Sequence, residues 1–427
     1  MPENLQVVFA VSVFFITYAI IVSEKIHRSI IALSGAFLMV VFGILSHEKA
    51  IAAIDFNVIG LLVGMMLIVG IIKDTGIFEY LAVSIAKAAK GRPVVILAAL
   101  AMLGALLSGI LDNVTLILLI VPVTISIARL LGISPIPLVI SEVLLSNIGG
   151  AATLIGDPPN IIIGSAAELG FMDFVINLGP VLLVIAVVTT ALLAVAYRRK
   201  LKVDDEHRQR LMEIDAAKQI KSKPLAIKSL AVMGLVIVGF ITHQLLHLES
   251  ATIAMAGASL LLLLVRPNVD KTFRHVEWPV IFFFVGLFIL VGGLQAVGAI
   301  KWLAQQVVGL TGGELLPSGL AILWFAGFAS GFVDNIPFTA TMVPIIQEMG
   351  GLTAMQDLAP LWWSLALGAC LGGNATIVGA SANVVAIGML DEKGMRVSFL
   401  QFMAIGLPLT LLALLISSIY LYVFYLT

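Results

Sequence analysis

The chain has 427 residues, 60% of them hydrophobic and 11% charged, with a mean hydropathy of +1.13 and a formal net charge of −1. Too few polar side chains exist to clothe a soluble globule, which excludes a water-soluble enzyme or binding domain and points to an integral membrane protein. The single cysteine, Cys370, excludes an internal disulfide and a thiolate cage for a soft metal within one chain.

The opening "MPENLQVVFAVSVFFITYAII" has no basic leader and no A-x-A cleavage site, so it reads as a retained first helix. Apolar segments suited to a bilayer core of about 30 Å predict spans near 5–23, 29–46, 56–73, 94–111, 114–131, 136–152, 158–168 and 177–197. Backbone amides in lipid must be satisfied within the segment, so the architecture is helical. Residues 198–223, "RRKLKVDDEHRQRLMEIDAAKQIKSK", then carry nine of the 24 Lys and Arg and read as a solvated cytoplasmic connector. Spans resume at 229–247, 251–266 and 278–296, followed by a Gly- and Pro-broken region and a last helix near 403–426. "HQLLH" at 243–247 has metal-pair spacing but sits at a helix end beside Glu249, and reads as an interfacial cluster.

The two halves repeat one another. "LVGMMLIVGIIKDTGIFEYLA" (62–82) matches "FVGLFILVGGLQAVGAIKWLA" (284–304) at an offset of 222, which pairs Gly64 with Gly286, Gly70 with Gly292 and Gly76 with Gly298. The same offset carries Asp112 to Asp334 and Pro122 to Pro344, and at 223 "GGAATLIGDPPN" (149–160) meets "GGNATIVGASAN" (372–383). Lys73, Lys87, Lys90 and Arg92 follow the 56–73 span, whereas only Lys301 follows its counterpart, so the copies have opposite orientations. The expected organisation is a first inverted repeat over 1–197, a basic connector over 198–228 and a second repeat over 229–427. Such repeats are a signature of secondary transporters, with the site at the midplane where broken helices meet.

An ionised Asp in hydrocarbon costs roughly 2.5–3.5 kcal/mol on insertion scales, so it is kept only where it faces protein, water or an ion. In "SGILDNVT" and "SGFVDNIPFT", Asp112-Asn113 and Asp334-Asn335 predict the tips of two re-entrant hairpins, with Thr115 and Thr339 close behind and the acids also suited to helix capping. "ATLIGDPPN" (152–160) and "ATIVGASAN" (375–383) predict unwound breaks. Gly156 and Gly379 permit sharp backbone there, and Pro158 and Pro159 forbid helix continuation. Thr153, Asn160, Asn374, Thr376, Ser381 and Asn383 would offer neutral oxygens and amides. Asp157 pairs with Ala380, and Glu142 pairs with Leu365. These two join Asp112 and Asp334 as candidates for proton coupling.

"LDNVT", "SEVLLSNIGGAATLIGDPPNIIIGSA", "VDNIPFTATMVP" and "LGGNATIVGASANVVAIG" resemble one branch of the ion-transporter superfamily. That branch holds the ArsB-type arsenite permeases, the NhaD-type Na⁺/H⁺ antiporters and the pink-eyed dilution (P) protein. The resemblance implies an all-α polytopic fold of two inverted-topology repeats with re-entrant hairpins and discontinuous helices. It also implies a homodimer in the cytoplasmic membrane whose transport half moves as an elevator against a scaffold. The leading expectation is proton-coupled efflux of arsenite or antimonite, since As(III) in neutral water is mainly an uncharged trihydroxide that Asn, Thr and Asp can hydrogen-bond. A Na⁺/H⁺ antiporter is the alternative, and an anion or carboxylate transporter a further one. No cofactor, bound metal or nucleic acid is expected. An aspartyl protease would need a first Gly where Leu154 stands, and no G-x-x-x-x-G-K-[ST] is present, so an ATPase could act only as a separate subunit.

Overall fold

The computed structural model describes residues 2–426 apart from 24, 354 and 356. The first half opens with α1 (Glu3–Val22), α2 (Arg28–Val41), a short α3 (His47–Ala52) and α4 (Phe56–Lys73). After α5 (Ile77–Ala88), α6 (Pro93–Ser108) and α7 (Asn113–Leu130) form the first hairpin, with its tip at 109–112. Next, α8 (Ile136–Gly150) and α9 (Pro158–Ala167) are the two parts of a helix broken at 151–157. The chain bends by 112° into α10 (Phe171–Asn177) and returns through α11 (Gly179–Tyr197). The connector folds as α12 (Asp205–Glu213) and a 3₁₀ turn at Ala216–Gln219.

The second half repeats this order with α13 (Lys223–Leu246), α14 (Ser250–Val265), α15 (Val269–Phe273), α16 (Trp278–Ala296) and α17 (Ala299–Thr311). Its hairpin is α18 (Leu315–Phe332) and α19 (Asn335–Leu352), its broken helix α20 (Ala359–Gly372) and α21 (Ser381–Asp391), and its last span α22 (Phe399–Phe424). Eight of these helices are long and apolar enough to cross a bilayer, and the described residues contain no strand.

Close backbone approach at small residues holds the bundle, as expected where lipid supplies no hydrophobic drive between helices. A Cβ added at Gly64 would lie 2.7 Å from the Ala254 backbone, and one at Gly286 would lie 2.6 Å from that of Ala32. Ala32 and Ala254 are themselves 222 apart, so α4 on α14 repeats α16 on α2. The hairpins show the same pairing, with Gly149 of α8 against the Ala105 carbonyl and Gly372 of α20 against that of Gly327. Gly76 and Gly298, at φ of +79° and +76°, start α5 and α17 in a conformation that a side chain would strain.

The connector caps one face. Lys221 N–H donates to the Thr75 carbonyl at 2.9 Å, the Lys87 ammonium to that of Ile214, and His207 packs on Gly132. Following the helices from these contacts puts every Lys and Arg except Lys49 and Lys301 on this basic face. Helix α13 starts at Lys223, within the stretch read as connector. Ser222 accepts from Leu225 N–H, Pro224 sits in the first turn, and Lys228 extends its ammonium to the Leu264 carbonyl at 3.1 Å. A polar first turn thus projects beyond the apolar stretch of this helix.

Candidate ion and substrate site

The two hairpin tips and the first break converge on Asp157. This carboxylate is 1% exposed and accepts from Asn113 Nδ2 at 3.3 Å and from Asn335 Nδ2 at 3.3 Å, one amide from each hairpin. Asp112 and Asp334 cap the helices that leave the tips, accepting from Thr115 N–H at 2.9 Å and Ile336 N–H at 3.0 Å. Capping and facing the site are compatible, because a capping oxygen fixes the carboxylate at the mouth of the helix.

Behind Asp157 lies a buried amide network. Asn113 Nδ2 donates to Asn147 Oδ1 at 3.1 Å, and Asn147 Nδ2 donates to Asn374 Oδ1 at 2.8 Å and Asn383 Oδ1 at 2.9 Å. One residue of α8 therefore ties the first tip to the second break. Cys370, the repeat equivalent of Asn147, donates its thiol to Asn160 Oδ1 at 3.6 Å.

Other predicted residues hold the breaks in shape. Thr153 donates to the Gly109 carbonyl at 2.6 Å and Thr376 to that of Gly331 at 2.5 Å, clasping each break to its own hairpin. Asn160 donates to the carbonyls of Ala151 and Thr153, and Asn383 to those of Gly373 and Thr376, so the orphan carbonyls of the interrupted helices are satisfied. Thr339 bonds the Asn335 carbonyl on its own helix, and neither it nor Thr115 lines the cavity at the tips. Glu142 lies apart. Its Oε1 accepts from Thr124 Oγ1 at 2.5 Å and its Oε2 has no partner.

Three participants stand outside the predicted site residues. Arg28 reaches Asp334 at 2.8 Å and Ser381 at 2.6 Å, across more than 300 residues of sequence. Glu277, just before α16, lines the same cavity. Burial, reinforced by the negative charge of Asp112, pushes its carboxyl up to about 7 against the opposing pull of Arg28 and Lys73. Asn147 stands in the legible motif "SNIGG", but its counterpart is a cysteine, so the comparison of halves passes over it.

The cavity at the tips is about 20 Å³, enough for one water-sized species. Asp112, Asp157 and Glu277 face it with Arg28, Asn113, Asn335 and Ser381, and Leu62 and Met66 of α4 close one side. A second cavity of about 530 Å³ opens on the opposite face between α4, α9 and the α13–α14 turn. It reaches Leu154, three residues from Asp157 on the same break, and Leu61, next to Leu62 on α4.

Residues 18–368 match the family model described as citrate transporter. The chain belongs to this family. Among its relatives, a 46 kDa membrane protein of Mycobacterium leprae is 41% identical over 98% of this chain and 99% of that one. An uncharacterized transporter of Mycobacterium tuberculosis is 39% identical over 98% of both chains. The human P protein is 32% identical over 98% of this chain and 60% of its own length, which bears out the branch legible in the motifs. The YdaH transporter of Alcanivorax borkumensis superposes with a TM-score of 0.61 at 16% identity, covering 99% of this chain and 98% of that one. At that identity the likeness speaks for the fold: this family member is an all-helical membrane transporter with hairpins and interrupted helices.

Proposed function

We propose that the chain is a cation-coupled secondary transporter, most simply a Na⁺/H⁺ exchanger, in which Asp157 carries the exchanged ion. The observation that carries this reading is the convergence of both hairpin tips on that one buried carboxylate. Three carboxylates (Asp112, Asp157 and Glu277) face a space the size of one water, and the one guanidinium beside it, that of Arg28, is paired with a fourth, Asp334. Such a surplus calls for protons or small cations. The two cavities, with different linings on α4 and the first break, support alternating access, with the hairpins and broken helices moving as an elevator. By the positive-inside rule the basic face is cytoplasmic, so the site opens inward in this state of a protein of the cytoplasmic membrane.

Proton-coupled expulsion of arsenite or antimonite is a second reading, favoured by the neutral donors Asn113, Asn335 and Ser381 beside the acids. The relatives' names lend it no support, and a trihydroxide needs a larger space than this state offers. The family description speaks of citrate; a free tricarboxylate would meet like charge here and would need accompanying cations.

Reconstitution into proteoliposomes with an imposed pH gradient separates these readings. The expected result is collapse of the gradient by Na⁺, lost in Asp157→Asn. Gradient-driven As(III) accumulation in inside-out vesicles without a Na⁺ response would replace exchange with efflux. Citrate uptake alone would replace both.

A further inference from the structure

The two halves of the site are built alike, but only one contains a counter-ion. Asp334 Oδ2 accepts from Arg28 Nη1 at 2.8 Å and from Ser381 Oγ at 2.8 Å, while the same guanidinium nitrogen lies 2.6 Å from Ser381 Oγ. The Arg28 guanidinium also lies 5.1 Å from the ring centre of Phe283 on α16. Charge-assisted bonds in such a half-buried triangle are short and directional, and an aromatic face holds the planar cation well. The repeat equivalent of Arg28 is Ser250, and that of Ser381 is Pro158. Neither can neutralise Asp112, whose hydrogen bond is to the backbone of its own helix.

The ends of the ion pair belong to different bodies. Arg28 opens α2, which packs along α16 through Ala32 and Gly286, whereas Asp334 and Ser381 belong to the second hairpin and the second broken helix. Any displacement of hairpins against α2 and α16 must break this pair.

We infer that Arg28 is a resident counter-cation that withdraws Asp334 from ligand binding and latches the hairpins toward the basic face, leaving Asp112 and Asp157 as the carboxylates open to a transported cation. The inference rests on the alternating-access reading above. The latch holds the carrier in the state seen here. It also makes Arg28 a positioning residue, since it acts through Asp334 and Ser381.

A contact on the opposite face reports the latch independently of substrate. Asn57 of α4 and Ser165 of α9 approach to 3.4 Å between Nδ2 and Oγ. The experiment places Asn57→Cys and Ser165→Cys in a Cys370→Ala background and measures the rate of oxidative cross-linking in membranes. Arg28→Gln is expected to slow cross-linking at least threefold, Asp334→Asn to do the same, and Arg28→Lys to restore most of the rate. Unchanged cross-linking in Arg28→Gln and Asp334→Asn, whatever happens to transport, overturns the latch. Should Arg28→Gln not accumulate as a monodisperse protein, Asp334→Asn tests the same pair from its other end. Failure of the underlying reading looks different: the cross-linked parent would then keep transporting.

Discussion

Replacing Asn147 by alanine tests whether the amide network is what holds the two halves of the site together. Truncation removes the acceptor for Asn113 Nδ2, which keeps its longer bond to Asp157, and removes the donor to Asn374 Oδ1 and Asn383 Oδ1. Two fully buried acceptors are left without that partner. At about 1–3 kcal/mol for each orphaned group, the expected loss is about 2–6 kcal/mol, with the lower end applying if a water enters the vacated space. Asn147→Asp is expected to be worse. Its carboxylate can still accept from Asn113 but turns an anionic oxygen on two carbonyl oxygens. Equilibrium unfolding in mixed SDS micelles, followed by tryptophan fluorescence, gives the difference. A loss below about 0.5 kcal/mol for Asn147→Ala would show that the network is ornamental and that helix packing alone sets the geometry of Asp157.

Gly149→Ala and Gly372→Ala should each cost about 1–3 kcal/mol in the same assay, because the new methyl meets backbone rather than a movable side chain; a tolerant Gly149→Ala would refute the close approach of α6 and α8. Glu142→Gln should leave transport intact and stability within about 1 kcal/mol, since the amide oxygen keeps the Thr124 bond and the other atom loses no partner. Loss of coupling in that variant would draw Glu142 into the ion path. Glu277 holds its proton to about 7 in the folded chain against 4.5 unfolded, so its stabilising effect is full below 4.5 and disappears as pH rises through 7. Glu277→Gln should flatten the decline in thermal stability between pH 5 and 8, by at most about 1.4 kcal/mol per pH unit, and an unchanged slope would count against a buried, protonated Glu277.

The spans were legible because hydrocarbon demands unbroken apolar stretches, and the hairpin tips because Asp-Asn after Ser-Gly recurs at a fixed offset. Helix ends were less so. The start of α13 at Lys223 depends on Ser222, Pro224 and the long side chain of Lys228, which hydropathy alone counts as loop. Within the site, the repeat pointed to Thr153, Thr376, Asn160 and Asn383, and their duplicated bonds show why they recur: both breaks need the same carbonyls satisfied. The repeat was silent about Arg28 and Asn147, because each acts on a distant partner and has no like residue in the other half, whereas Glu277 has a like acid in Asp55 at the same offset of 222 and only the fold brings it to the cavity. Symmetry in sequence therefore reported the frame, and departures from it reported the chemistry.

A carrier whose halves are inverted copies has nearly the same backbone whichever membrane surface it is viewed from. Such a frame has no preferred direction of its own. What distinguishes forward from reverse is a short roster of mismatches: a carboxylate facing alanine at 157 and 380, an amide facing a thiol at 147 and 370, and a guanidinium facing a hydroxyl at 28 and 250. On the exchange mechanism proposed above, the polarity of the cycle would reside in such side chains rather than in the backbone.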